Sequence, residues 1–169
     1  MKIKIKNSVE NKTIQMVISL LEKNPLEIEI RTLGIDPIKL RTRPDPDSWS
    51  AVEILAHLHA CATIWGKSIE KMLQENNPTI DDLHPGKWDK LRDFSALPFD
   101  ESFKNYTFNR LNLISRLSML SPEEWGKSGW IKNKKHTVFS QARRMALHEF
   151  DHLDQFESIK IHLNKEQTG

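Results

Sequence analysis

Four stretches of this chain repeat apolar side chains at helical spacing, and helix start and stop signals separate them, so packed helices are the architecture that the sequence most directly allows. Clean two-residue alternation occurs in Met1 to Lys6, where Ile and Lys alternate; this fringe reads as a short strand or a frayed end. The spacing predicts a first helix from about Ser8 to Lys23, with Ile14, Val17, Ile18 and Leu21 on one face. Asn24 then reads as an N-cap and Pro25 as the first residue of a short second segment that Gly34 closes, with Pro37 just beyond. The run Leu40 to Ser48 holds Pro44 and Pro46 and is a connector.

The strongest start signal is Ser50-Ala51-Val52-Glu53, a capping box in which hydroxyl and carboxylate each satisfy a backbone N–H. The helix it opens should run to about Glu75, where Asn76-Asn77-Pro78 ends it. A long loop with Pro85, Gly86, Trp88 and Pro98 follows, holding a short helical turn; loops of that length tend to be functional. A third long helix is predicted from about Asp100 to Leu120, and Ser121-Pro122-Glu123-Glu124 caps one more short turn. Gly126 to His136 reads as a basic, glycine-containing loop, and Thr137 caps a final helix from about Val138 to Leu163. The polar tail Asn164 to Gly169 is expected to fray. No internal repeat is visible. The expected architecture is all-α: one domain over residues 1–169, core about 8–163, built as a four-helix bundle with short connecting helical turns.

Composition narrows the function. With 38% hydrophobic and 28% charged residues, the 169-residue chain suits one globular domain with a conventional core. A net charge of +2 from 25 basic and 23 acidic residues provides no broad footprint for nucleic acid. The longest apolar stretches, such as Met16 to Leu21, fall far short of the ~20 residues that a bilayer requires. Cys61 is the only cysteine, so no disulfide forms within the chain, and without a leader-like start the expected compartment is a reducing cytoplasm.

Helical angles single out three histidines. At about 100° per residue, His148 and His152 lie about 40° apart on the last helix, bordering the stripe of Met145, Phe156 and Leu153. Four residues apart, two imidazoles can chelate one metal ion. His57 borders the stripe of Ile54, Leu58, Trp65 and Ile69 in the same way, whereas His59 falls on the opposite side and is set aside as a ligand. Singly, each reads as a satisfied core or boundary histidine. Together they offer three neutral nitrogens from two helices and leave positions open, the catalytic rather than the structural pattern. His84, His136 and His162 have no such partners and read as surface residues.

His148-Glu149-Phe150-Asp151-His152 also matches HExxH. Gln155 and Ser158 stand where a metzincin needs Gly and His, and too little chain follows for a gluzincin's third ligand. A di-iron bundle would need a second Glu-x-x-His, which is missing; Glu53 stands four residues before His57, not three. Glu149 itself falls in mid-stripe, where an ionised carboxylate needs a cation, a donor or a metal. Arg110 lies inside the stripe of the third helix, among Leu111, Ile114 and Leu117. It is expected to pair with Glu149 or Glu53, to hold an anionic ligand group, or to snorkel to a bundle end. Glu149 and Arg110 are thus the candidate catalytic residues.

The stretch Arg43-Pro44-Asp45-Pro46-Asp47-Ser48-Trp49-Ser50-Ala51-Val52-Glu53-Ile54-Leu55-Ala56-His57-Leu58, with His148-Glu149-Phe150-Asp151-His152-Leu153-Asp154-Gln155 far downstream, resembles the DinB-like (YfiT-like) metal-binding proteins. The resemblance runs from about Leu20 to Glu157 and includes Pro78 and Arg110. It implies a four-helix bundle in which His57, His148 and His152 bind a divalent metal, zinc or nickel, commonly in a homodimer. Relatives include transferases and isomerases that use low-molecular-weight thiols such as bacillithiol, mycothiol or glutathione, while others carry only a hydrolase label.

A divalent ion with open positions can lower the pKa of a bound thiol or water, and the resemblance favours the thiol. The expected partners are therefore a small-molecule thiol and an electrophile. Lys132, in the basic run Lys127 to Lys135, is a candidate to receive the thiol's carboxylates, although a charge run is usually a solvated face. Trp65 is a candidate pocket wall, and Cys61 reads as a soft fourth ligand or, more simply, as a small buried hydrophobe. Three functions follow: a thiol-dependent S-transferase acting on small electrophiles, a hydrolase using metal-bound hydroxide, and a non-catalytic metal-binding stress or interaction protein.

Overall fold

A computed structural model describes residues 3–81 and 95–168. The turn expected in the long loop, with His84, Pro85, Gly86 and Trp88, lies outside the described residues. Helix α1 spans Asn11–Thr32, α2 Ala51–Gln74, α3 Phe99–Ser118, the short α4 Pro122–Gly126, and α5 Val138–Thr168, with a single 3-10 turn at Lys39–Arg41. The capping boxes at Ser50/Glu53 and Ser121/Glu124 both form.

Three sequence expectations are corrected. The break at Asn24-Pro25 does not occur: α1 runs through Pro25, which has no N–H to donate to the Leu21 carbonyl. Asn24 is no cap but a buried side chain whose Nδ2 donates to the Ala146 carbonyl at 2.9 Å, pinning α1 to α5 where the proline would otherwise weaken it. The basic loop is instead a hairpin, β2 (Ser128–Ile131) with β3 (Lys134–Thr137), and β1 (Thr79–Ile80) pairs parallel to β2. Lys132 and Asn133 make its two-residue turn at φ 48° and 59°, the left-handed pair that matches strand twist. Gly129 is required there, because a Cβ would stand 2.9 Å from the Pro78 carbonyl oxygen. Finally, α5 continues to Thr168 rather than ending near Leu163, since no glycine or proline interrupts the chain before Gly169. The fringe at Ile3 to Lys6 is an unpaired segment with Ile5 buried in the core.

Contacts between named residues give the helix directions. Asn24 meets Ala146 and Arg31 meets Glu157, so α1 and α5 are parallel. His57 and Trp65 both face His148, and Trp65 also lies beneath Arg144, so α2 is antiparallel to α5. His59 meets Asn109 and Glu70 meets Arg116, so α3 is parallel to α2. The order is therefore up, down, down, up, with α1 against α5 and α3, and α2 against α5 and α3. A parallel α2–α3 pair puts the end of α2 and the start of α3 at opposite ends of the bundle, about 36 Å apart along the 24-residue α2, with Ile80 beside the hairpin at one end and the Ser95 carbonyl held by Arg41 at the other.

Among the described residues the core falls into two apolar clusters, and every long helix crosses from one to the other at a polar residue. On α1 the change comes between Leu21 and Ile28, on α2 between Leu58 and Cys61, on α3 between Tyr106 and Ile114, and on α5 between Ala146 and Leu153. Asn24, Arg110 and Glu149 occupy that level.

Candidate metal centre

His57 stands two turns after the Ser50 cap, where the Ser50 hydroxyl accepts from the Glu53 N–H and the Glu53 carboxylate accepts from the Ser50 N–H. His148 and His152 follow on α5, whose start is fixed by a reciprocal pair: Thr137 Oγ1 accepts from the Ser140 N–H at 3.0 Å and Ser140 Oγ from the Thr137 N–H at 2.8 Å. Antiparallel packing brings the three rings together. His148 Nε2 lies 3.3 Å from His57 Nε2 and 3.2 Å from His152 Nε2. The ring centroids are 4.6 to 5.1 Å apart.

This donor set fits a metal ion. With metal–nitrogen bonds of about 2.0–2.1 Å, the edge between two nitrogens of a tetrahedron is about 3.3–3.4 Å, close to both measured separations. Without a cation the cluster is poorly satisfied, because His148 Nε2 carries at most one hydrogen and faces two other ring nitrogens. Gln155 Oε1 lies 2.6 Å from His152 Nδ1 and so accepts its N–H, which leaves the Nε2 lone pair facing the cluster. Burial, then the neighbouring rings of His152 and His57 and the charge of Arg144, pushes His148 down to about 3. The neutral imidazole that a metal requires is thereby favoured.

Indoles flank the histidines. Trp65, almost fully buried, stands edge-on to His148 at 5.1 Å, and the Arg144 guanidinium covers its ring at 4.5 Å. Trp49 lies 5.1 Å from the His57 ring and parallel to that of His152. Beside it opens a cleft of about 360 Å³ lined by Asp47, Ser48, Trp49, His152 and Gln155.

Glu149 and Arg110 lie in the core, each side chain 1% exposed, and form an ion pair with one another. Asn24 Nδ2 donates to Glu149 Oε2 at 3.3 Å, and Arg110 lies over the Tyr106 ring. Burial raises the Glu149 pKa, opposed by Arg110 and the donors around it. Glu53, the other candidate partner of Arg110, instead pairs with Arg43. Lys132 stands exposed at the hairpin turn. Lys127 donates to the Leu73 carbonyl at 2.7 Å, closing the C-terminal end of α2. His136 is on β3 and His162 near the end of α5, both partly buried and neither in the cluster.

His59 lies on the side of α2 opposite the His57 stripe, as its helical angle places it. It is buried against α3, its Nε2 3.1 Å from Asn109 Nδ2, because α2 is covered on both sides. Cys61 is buried with Sγ 3.6 Å from His57 Nε2, and His57, Cys61 and His148 have ligand atoms within 4.8 Å of one another. Trp49, Gln155 and Arg144 were not singled out as site residues by the sequence. The signal for two of them was helical spacing: Gln155 is three residues after His152, and Arg144 four before His148.

The up-down-down-up bundle has a solved counterpart. YfiT from Bacillus subtilis, described as a probable metal-dependent hydrolase with an unusual four-helix bundle topology, superposes with a TM-score of 0.83 at 14% identity, covering 96% of this chain and 94% of that one. Among curated proteins none matches this chain. The family model of the DinB superfamily matches residues 20–156, which include all three clustered histidines, and the chain belongs to that superfamily.

Proposed function

We propose that this protein is a metal-dependent enzyme in which His57, His148 and His152 hold a divalent ion, zinc or nickel, and that it transfers the sulfur of a low-molecular-weight thiol such as bacillithiol or glutathione to a small electrophile. The carrying observation is that His57 Nε2 and His152 Nε2 each lie at a tetrahedral edge length from His148 Nε2, beside an open cleft. The ion, when bound, supplies Lewis acidity that lowers the pKa of a thiol or water. The protein's own groups do the rest. Trp49 and Trp65 wall the site, and the Arg144 guanidinium is placed to receive a carboxylate of the thiol. The thiol's proton passes to solvent and its sulfur bonds to the electrophilic carbon. The electron pair displaced from that carbon then leaves with a leaving group or takes up a proton. Glu149 and Arg110 serve as positioning residues, locking α5 against α3.

Hydrolysis is the second reading, favoured by the description of the structural counterpart. Metal content by elemental mass spectrometry, on untagged protein beside His57→Ala, comes first: about one ion per chain, lost in the variant, is expected. Thiol consumption with an electrophile should then require the metallated protein and fail in His148→Ala. Equal rates would overturn the transferase reading, turnover without thiol would replace it with the hydrolase, and metal binding without either would leave a non-catalytic metal protein.

A further inference from the structure

The cleft beside Trp49 and His152 is lined by no described lysine or arginine, although the chain as a whole is net positive. The charged side chain on its wall is Asp47, and it is uncommitted. The Asp45 carboxylate fixes this loop, accepting from the Asp47 N–H at 3.0 Å and from the Ser48 hydroxyl at 2.6 Å. Arg43, the nearest arginine in sequence, is taken by Glu53 and by the Pro46 carbonyl at 3.3 Å. No described residue gives the Asp47 carboxylate a hydrogen bond or an ion pair. Trp49, 41% exposed, lines the same cleft. Both groups attract a cation, the carboxylate by its charge and the indole through the negative face of its π-system.

A free organic cation fits poorly, because a divalent ion on three neutral imidazoles would repel it. An ammonium on the same molecule as a thiolate escapes that repulsion, since the two charges cancel. Resting on the transferase reading, we infer that the co-substrate is an aminothiol and that Asp47 selects it, accepting from its ammonium group in the cleft. Arg144 stands on the Trp65 side of the histidines and Asp47 on the Trp49 side. A thiol that carries both an ammonium and a carboxylate matches that polarity.

The test is calorimetric titration of the zinc-loaded full chain with two pairs of thiols: cysteine beside N-acetylcysteine, and glutathione beside N-acetylglutathione. The members of each pair differ by the ammonium charge, and the two pairs differ in reach. Comparing the affinity ratio within a pair between wild type and Asp47→Asn cancels the effect of acetylation on the acidity of the thiol. In at least one pair the preference for the free amine should fall about three- to fivefold in Asp47→Asn, the upper range for an exposed ion pair, with zinc content unchanged. Asp47→Glu should restore most of it. An unchanged ratio in both pairs would overturn the role of Asp47 and leave the transferase reading standing. No binding of any of the four thiols by the zinc-loaded wild type would overturn both.

Discussion

Arg110 on α3 and Glu149 on α5 form an ion pair across the diagonal of the bundle, between two helices that otherwise pack against α1 and α2. Both side chains are buried at the level where the apolar core divides in two, one residue beyond His148. A pair this deep is weak evidence for stability, because desolvation offsets most of the attraction, but breaking it strands a charge. Glu149→Gln should therefore lower the unfolding free energy by about 3–5 kcal/mol, while the double replacement Arg110→Met with Glu149→Leu should cost far less or stabilise. Urea unfolding of the three proteins decides this, and a single variant as stable as the wild type would show that the charge is not stranded.

Gln155 is the outer partner of His152, accepting from Nδ1 at 2.6 Å and fixing which nitrogen faces the cluster. Gln155→Ala should leave the fold intact, since the side chain is exposed, yet weaken metal binding about 10- to 100-fold. Gln155→Glu should retain affinity, because a carboxylate accepts the same N–H. Chelator competition separates the two, and equal affinities of Gln155→Ala and wild type would remove the residue from the site.

The four long helices and the placement of His57, His148 and His152 were readable because periodicity and capping are local. What failed was decided by contacts distant in sequence. Asn24-Pro25 carries every sign of a helix start, yet Asn24 is held by Ala146 and Glu149 from another helix. Lys132-Asn133 lacks the glycine that marks most two-residue hairpins, and β2 gains its second neighbour from Thr79–Ile80, about fifty residues upstream. Helical angle put His59 opposite the stripe, which was right, but that side is covered by α3 rather than by water. Cys61 was weighed as ligand and as hydrophobe, and spacing alone does not give its distance from His57.

His59 gives the metal-free protein a pH signature. Burial pushes its imidazole down to about 4, against 6.5 as the ordinary value. The unfolded chain thus takes up a proton as pH falls through 6.5 while the folded chain does not. The stability is fully present above that value, and it drops by up to about 1.4 kcal/mol per unit of pH until the folded group also protonates near 4. His59→Gln, which keeps an amide beside Asn109, should flatten the slope between pH 6.5 and 4. Urea unfolding at several pH values reads the difference, and parallel curves would mean that another group carries it.

Arg144 tests how the site recognises a co-substrate. Its guanidinium rests on the face of Trp65, whose edge meets His148, so a positive charge stands one helical turn before His148 at the edge of the cluster. A residue placed there binds an anionic group equally in ground and transition states, and its removal should raise KM while leaving kcat nearly unchanged. For a carboxylate-bearing thiol the expected rise for Arg144→Ala is roughly 10-fold, in line with about 1.5 kcal/mol for a charge-assisted hydrogen bond. Arg144→Lys should recover part of it, without the planar fork that suits a carboxylate. The control is an uncharged thiol, for which both variants should match the wild type. A fall in kcat with an unchanged KM would instead place Arg144 among the groups that act on the reacting atoms.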